Sequence, residues 1–129
     1  MSTVIPQNLR YTKDHEWALI ESDTATIGIT DFAQSALGDV VFVEVPEVGK
    51  ALKQGEAFGV VESIKSVSDL YSPLTGTVIE KNSNVESSPE KINENAYDGW
   101  LIKLKITNPS EVDSLLKPDT YQEFCNSSH

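Results

Sequence analysis

The chain has 129 residues and a formal net charge of −10 at pH 7, with 39% apolar and 23% charged residues. That balance describes one folded domain spanning 1–129, with its core over about 9–125, rather than a disordered chain. The acidic excess excludes nucleic acid as a partner, because that binding is driven by lysine and arginine neutralising phosphates, and it favours basic patches on partner proteins.

Residues 1–18 carry neither the apolar run of a secretory signal nor the Arg-rich, acid-poor pattern of a transit peptide. The expected location is cytoplasmic, or the mitochondrial matrix if a transit peptide was removed. No apolar run approaches the ~20 residues of a membrane span, so no membrane partner is expected. "EWALIE" (Glu16–Glu21) and "ATIGIT" (Ala25–Thr30) flank "SD" and predict a hairpin. "TDFAQSALG" predicts a helix capped at Thr30 or Asp31, with Gln34 as capping-box partner of Asp31 and Gly38 as the stop. "DVVFVEV" (Asp39–Val45) alternates, with Val41, Val43 and Val45 predicted on one face. Val40 and Phe42 lie on the other, so part of this strand is expected to be covered on both sides.

"EAFGVVES", "SDLYS" and "GTVIEK" predict further strands, with Lys65 between the first two. A strand–glycine–strand pattern over Val40–Val61 is echoed over Ser68–Ile79. It predicts two packed sheets related by an approximate twofold, joined at the lysine turn. "WLIKLKI" (Trp100–Ile106) has a clean period of two, turning Trp100, Ile102, Leu104 and Ile106 inward and Lys103 and Lys105 to water. "NPSEVDSLLKP" predicts a helix with Asn108 as cap, Pro109 at its first position and Glu111 reaching back; Val112, Leu115 and Leu116 form its apolar stripe. "DTYQEFCN" predicts a last helix capped by Asp119, with Tyr121, Phe124 and Cys125 on one face.

Catalytic motifs are missing. The histidines are His15 and His129, and neither lies in an HExxH motif or beside a nucleophile elbow. No glycine loop cradles phosphate. Cys125 is the single cysteine, which excludes an internal disulfide and a thiolate metal set. It reads as an apolar-stripe residue, and His15 reads as a structural or cleft-lining side chain. A non-catalytic protein is the expectation. Lys65 is different in context: Val60 and Val61 approach it and Val67 follows, so strands enter a tight bend and leave the lysine at a protruding tip. A long stem there gives its ammonium group free access to a modifying enzyme.

"VESIKSVSDLYSPLTGTV" (Val61–Val78) resembles the lipoyl-lysine signature of the glycine cleavage system H protein family. "KDHEWALIESDTATIGITDFAQSALGDVVFVEVPEVG" (Lys13–Gly49), "YDGWLIKLKI" (Tyr97–Ile106) and "SEVDSLLKPDTYQEF" (Ser110–Phe124) resemble the rest of that family in order and spacing. The resemblance implies a mostly β fold, a barrel-sandwich hybrid with short flanking helices that include C-terminal ones. It implies lipoate in amide linkage on Lys65, with Glu62 in the surface recognised by the lipoate attachment enzymes. It also implies a cleft in which Asp14, Glu16 and Asp69 accept a protonated aminomethyl group carried on the arm. Phe32 and Ala36 stand where some relatives have a histidine, so no role for that histidine is carried over. The implied partners are a pyridoxal-phosphate glycine decarboxylase, a folate-dependent aminomethyltransferase and the FAD enzyme dihydrolipoyl dehydrogenase.

Alternatives from other classes stay open at this level. A biotin carrier would place methionine on both sides of the lysine, where Ile64 and Ser66 stand. The carrier module of 2-oxo acid dehydrogenases would place an acid immediately before it. A lipoyl-relay protein, or an unmodified interaction domain, would keep the scaffold and change the partner.

Overall fold

Period-two apolar patterning builds two antiparallel sheets in the computed structural model, which describes residues 4–127. The larger sheet is six-stranded. It joins β1 (Arg10–Tyr11), β2 (Glu16–Glu21), β3 (Thr24–Ile29), β9 (Ile102–Ile106), β8 (Gly76–Lys81) and β5 (Ala51–Leu52), in that order. The smaller sheet has the order β4 (Val40–Glu44), β6 (Ala57–Ser63), β7 (Val67–Tyr71). The predicted β2–β3 hairpin forms in full register from Glu16 opposite Ile29 to Glu21 opposite Thr24. In β9, Ile102, Leu104 and Ile106 are buried and Lys105 is exposed, as the alternation requires; Lys103 is half-buried and lies over the Trp100 ring. The principal core joins the inner faces of both sheets through Ile27, Val43, Val61, Leu70, Val78 and Leu104.

Several expectations shift. The lysine turn does not join two sheets: it closes the β6–β7 hairpin within the three-stranded one. In β4, a bulge between Val40 and Phe42 slips the alternation by one residue. Val40, Val43 and Val45 are therefore buried, while Val41 and Phe42 are exposed rather than covered. α1 (Asp31–Leu37) is capped by the Thr30 hydroxyl, which accepts the Ala33 N–H. Gln34 reaches the Asp31 carboxylate instead of a backbone donor. The segment Pro109–Ser114 is a 3-10 turn rather than an α-helix. Its Glu111 faces away from Asn108 and accepts the Thr75 amide at 2.7 Å and the Thr75 hydroxyl at 2.8 Å. α4 (Pro118–Ser127) starts on its proline, with Asp119 inside the first turn.

Two short helices were not predicted, α2 (Ser83–Ser87) and α3 (Lys91–Glu94). At five and four residues they are too short to show a helical period in the sequence. Val85 and Ile92, both fully buried, seat them on the core. A second apolar cluster, with Leu9, Tyr11, Trp17, Tyr121 and Cys125, lies under α4, where the Tyr11 and Tyr121 rings stack at 4.5 Å.

Close packing around the lysine hairpin leaves no room at Gly59, where a Cβ would fall on the Glu44 carbonyl oxygen. Because a backbone atom cannot move aside cheaply, Gly59→Ala is expected to cost about 2 kcal/mol. Thermal denaturation should read this as a midpoint lowered by roughly 8 °C.

Candidate functional site

The turn Thr12–Glu16 sets one wall of the site. The Thr12 hydroxyl accepts the Asp14 and Glu16 amides, each at 3.2 Å, and the Thr12 carbonyl accepts the His15 amide at 3.1 Å. This curls the chain tightly enough to hold His15 at φ 66° and sends the Glu16 side chain inward, where it is 2% exposed. The Thr12 hydroxyl donates to one Glu16 oxygen at 2.7 Å, and the Tyr71 amide of β7 donates to the other at 3.2 Å. Both donors are neutral. Among the described residues, no ion pair involves Glu16, Asp14 or Asp69; the lysines pair with Glu47, Glu86, Glu80 and Asp23 elsewhere. Burial therefore dominates: helped slightly by the Asp14 charge, it outweighs both hydrogen bonds and raises the Glu16 pKa to about 8.

Glu16 faces a cleft of about 260 Å³ between α1 and β7. Asp14 and Asp69 line it too, with apolar walls from Phe32, Leu37, Val61 and Leu70. His15 lines the cleft as well, its ring stacked 4.4 Å from that of Phe32 and its Nδ1 2.8 Å from the Tyr121 hydroxyl. That hydroxyl also meets Thr30 Oγ1 at 2.6 Å, which ties α4 to the cap of α1. Burial pulls the His15 pKa down, against the opposing charge of Asp14. The other histidine, His129, lies outside the described residues.

Lys65 occupies the turn between β6 and β7 and is exposed. Ser63 organises that turn. Its hydroxyl accepts the Lys65 amide at 3.3 Å and the Ser66 amide at 3.1 Å, and its own amide donates to the Ser66 carbonyl at 2.8 Å. The Ile64 amide donates to the Asp39 carbonyl at 3.0 Å, fastening the turn to the segment that follows α1. Gly38 ends α1 at φ 82°, and a Cβ there would lie 3.4 Å from Lys65 Cε. The lysine stem thus lies beside the end of α1, next to the cleft-lining Leu37 and Ser66.

Asp14, Glu16 and Asp69 are brought into one cleft, and Lys65 stands at its rim. Glu62 is not in the cleft. It lies in the row Phe42–Glu62–Val67 across the three strands, flanked by exposed apolar side chains. Sequence reasoning missed Thr12 and the Tyr71 amide as holders of Glu16, and Gly38 as the rest for the lysine stem. A signal existed for the turn, since serines bracket "SIKS"; none existed for the Tyr71 amide.

A family model described as "Glycine cleavage H-protein" matches residues 9–128. The chain is 55% identical to the glycine cleavage system H protein of Symbiobacterium thermophilum over 121 residues, covering 93% of this chain and 94% of that protein. It is 58% identical to the H protein of Rubrobacter xylanophilus over 118 residues, 91% of each. It is similar to the crystal structure of a glycine cleavage system H protein from Mycobacterium marinum with a TM-score of 0.85 and 39% identity, over 95% of this chain and 97% of that one.

The raised Glu16 pKa fixes a pH dependence. A carboxyl that titrates near 8 when folded, against an ordinary value of 4.5, binds its proton more tightly in the native state. Its contribution is complete below pH 4.5 and is lost as pH rises through 8. The depressed His15 pKa acts with the opposite sign, and its effect is complete by about pH 6.5. Denaturant titration should show wild-type stability falling between pH 6.5 and 8.5, by on the order of 2 kcal/mol. Glu16→Gln should flatten that slope.

Proposed function

The chain belongs to the glycine cleavage H-protein family, and from that premise we propose that Lys65 is the residue that carries lipoate in amide linkage. The family is the lipoyl carrier of the glycine cleavage system, and this chain works with the other components of that system. When attached, the group would supply a cyclic disulfide able to take the aminomethyl unit of glycine on one sulfur as its S–S bond is reduced, leaving a dithiol once that unit is passed on. Everything else in the reading concerns what this chain's residues do for it.

The observation that carries the proposal is the coincidence of one exposed amine with one acid-floored cleft. The Lys65 turn projects, yet its root is fixed by the Ser63 hydroxyl and the Asp39 carbonyl, so the arm starts from a defined point. Tethering keeps the reactive group at high local concentration for each visiting enzyme. The donor set fits the cargo. Phe32, Leu37, Val61 and Leu70 give walls against which a thin apolar chain excludes water, and Asp14, Glu16 and Asp69 supply acceptors for an ammonium group.

Glu16 has a second duty in this reading. In the empty cleft it holds a proton at neutral pH, because burial favours the uncharged acid. A cation seated ~4 Å away favours the carboxylate by roughly 4 kcal/mol at an effective dielectric constant of ~20. That is comparable with the cost of ionising this buried group, so the proton leaves Glu16 as the cation arrives and the net charge of the cleft is unchanged.

Glu62 and its exposed neighbours Phe42, Ile64 and Val67 offer the attachment enzyme an acid framed by apolar contacts. The remaining partners in this proposal are a pyridoxal-phosphate glycine decarboxylase, a folate-dependent aminomethyltransferase and the flavin enzyme dihydrolipoyl dehydrogenase, with the cytoplasm as the place of work. None of these steps requires this chain to catalyse chemistry.

Protein from lipoate-competent cells should carry a lipoyl mass increment on Lys65 and on no other lysine. Tryptic mass spectrometry checks this, and a stoichiometric biotin adduct at Lys65 would overturn the assignment. Lys65→Arg should abolish the increment. Glu16→Gln and Asp69→Ala should keep the fold and shorten the lifetime of the loaded form about tenfold, a loss of ~1.4 kcal/mol of cation binding. Lifetimes equal to wild type would remove both acids from the cleft's function.

A further inference from the structure

The unpredicted helix α3 places a side chain where it governs the lysine turn. Ile92 is fully buried and anchors α3 to the core, so the next residue, Asn93, projects from a fixed point. Its amide nitrogen donates to the Gly38 carbonyl at 2.9 Å and to Gln34 Oε1 at 2.9 Å, and its Oδ1 accepts the Val40 amide at 2.8 Å. One side chain thereby grips the backbone on both sides of Asp39, using both of its N–H donors and its carbonyl.

The grip passes directly to the lysine. The peptide unit joining Asp39 to Val40 gives its N–H to Asn93 and takes the Ile64 N–H on its carbonyl at 3.0 Å. The two bonds lie in series through one amide and polarise each other, so the bond to Ile64 is strongest while Asn93 is in place. Gly38, whose carbonyl Asn93 holds, is also the surface against which the Lys65 stem rests. Gln34 lies on α1, whose Phe32 and Leu37 form a wall of the cleft.

We propose that Asn93 is a positioning residue that acts through the Asp39–Val40 peptide, fixing both the origin of the Lys65 side chain and the end of the helix that walls the cleft. The proposal deepens the carrier reading, in that its functional meaning rests on Lys65 bearing the arm. Its structural content does not, and the two can fail separately.

The experiment is amide hydrogen exchange on the full, unmodified chain. In Asn93→Ala, the Ile64 amide is expected to exchange at least tenfold faster than in wild type, while the Ala25 and Leu104 amides of the β3–β9 ladder stay within twofold. Asn93→Gln keeps the amide but carries it one carbon further out, and should give the same local loss on a chain of near-native stability. Gln34→Ala, which removes one acceptor and leaves the Asp39–Val40 peptide held, should leave Ile64 unchanged. With the arm attached and loaded, Asn93→Gln should shorten the loaded lifetime severalfold. Unchanged exchange at Ile64, or a rise at Ile64 matched by the ladder amides, would overturn the proposal, whatever mass spectrometry finds on Lys65.

Discussion

The hydrogen bond from the Tyr71 amide to the Glu16 carboxyl ties the two sheets together at the floor of the cleft. Glu16 belongs to the six-stranded sheet and Tyr71 to the three-stranded one, so a single carboxyl fixes the separation of β2 and β7. The same group is buried without a basic partner among the described residues. A hydrophobic residue there would be easier to bury, and a lysine beside it would neutralise the group permanently. The arrangement instead leaves an acid that burial keeps protonated at neutral pH. On the proposed reading, structure and cargo recognition draw on one side chain, so a change that stabilises the empty cleft lowers its affinity for the cation.

Much of the sheet architecture could be read from the chain because it rests on local periodicity. The alternation in Ile102–Ile106, the hairpin at Ser22 and Asp23 and the Gly38 stop each follow from a handful of neighbouring residues. The reading failed where the deciding contact lies far away in sequence. In β4 the alternation alone buries Val41, and only the pairing of Phe42 with Glu62 reveals the slipped residue. Local sequence places Glu111 to close a helix, but Thr75, 36 positions away, claims its carboxylate. α3 is invisible because four residues are too few to show a helical period, and its stability comes from Ile92 meeting the core.

The site divides the same way. The place of Lys65 at an exposed turn is legible from the residues around it, and Asp14 and Glu16 share one short turn. That Asp69 faces the same cleft required the β6–β7 register, and that His15 is clamped between Phe32, Phe124 and Tyr121 required the docking of α4. The C-terminal helix is therefore part of the site although it contributes no side chain to the cleft: it holds the aromatic wall in place from behind.

Cys125 is 2% exposed, and burial pushes its thiol above the ordinary range. Thiolates attack disulfides in proportion to their ionised fraction and their access, and this one has little of either. A chain that bears the proposed arm, a strained cyclic disulfide on a long tether, would be exposed to covalent self-capture by any accessible sulfhydryl, whether its own or a neighbouring copy's. Holding the chain's one cysteine on the buried face of the last helix removes that side reaction, so a carrier of the proposed kind could cycle between oxidised and reduced states in a crowd of its own kind without cross-linking.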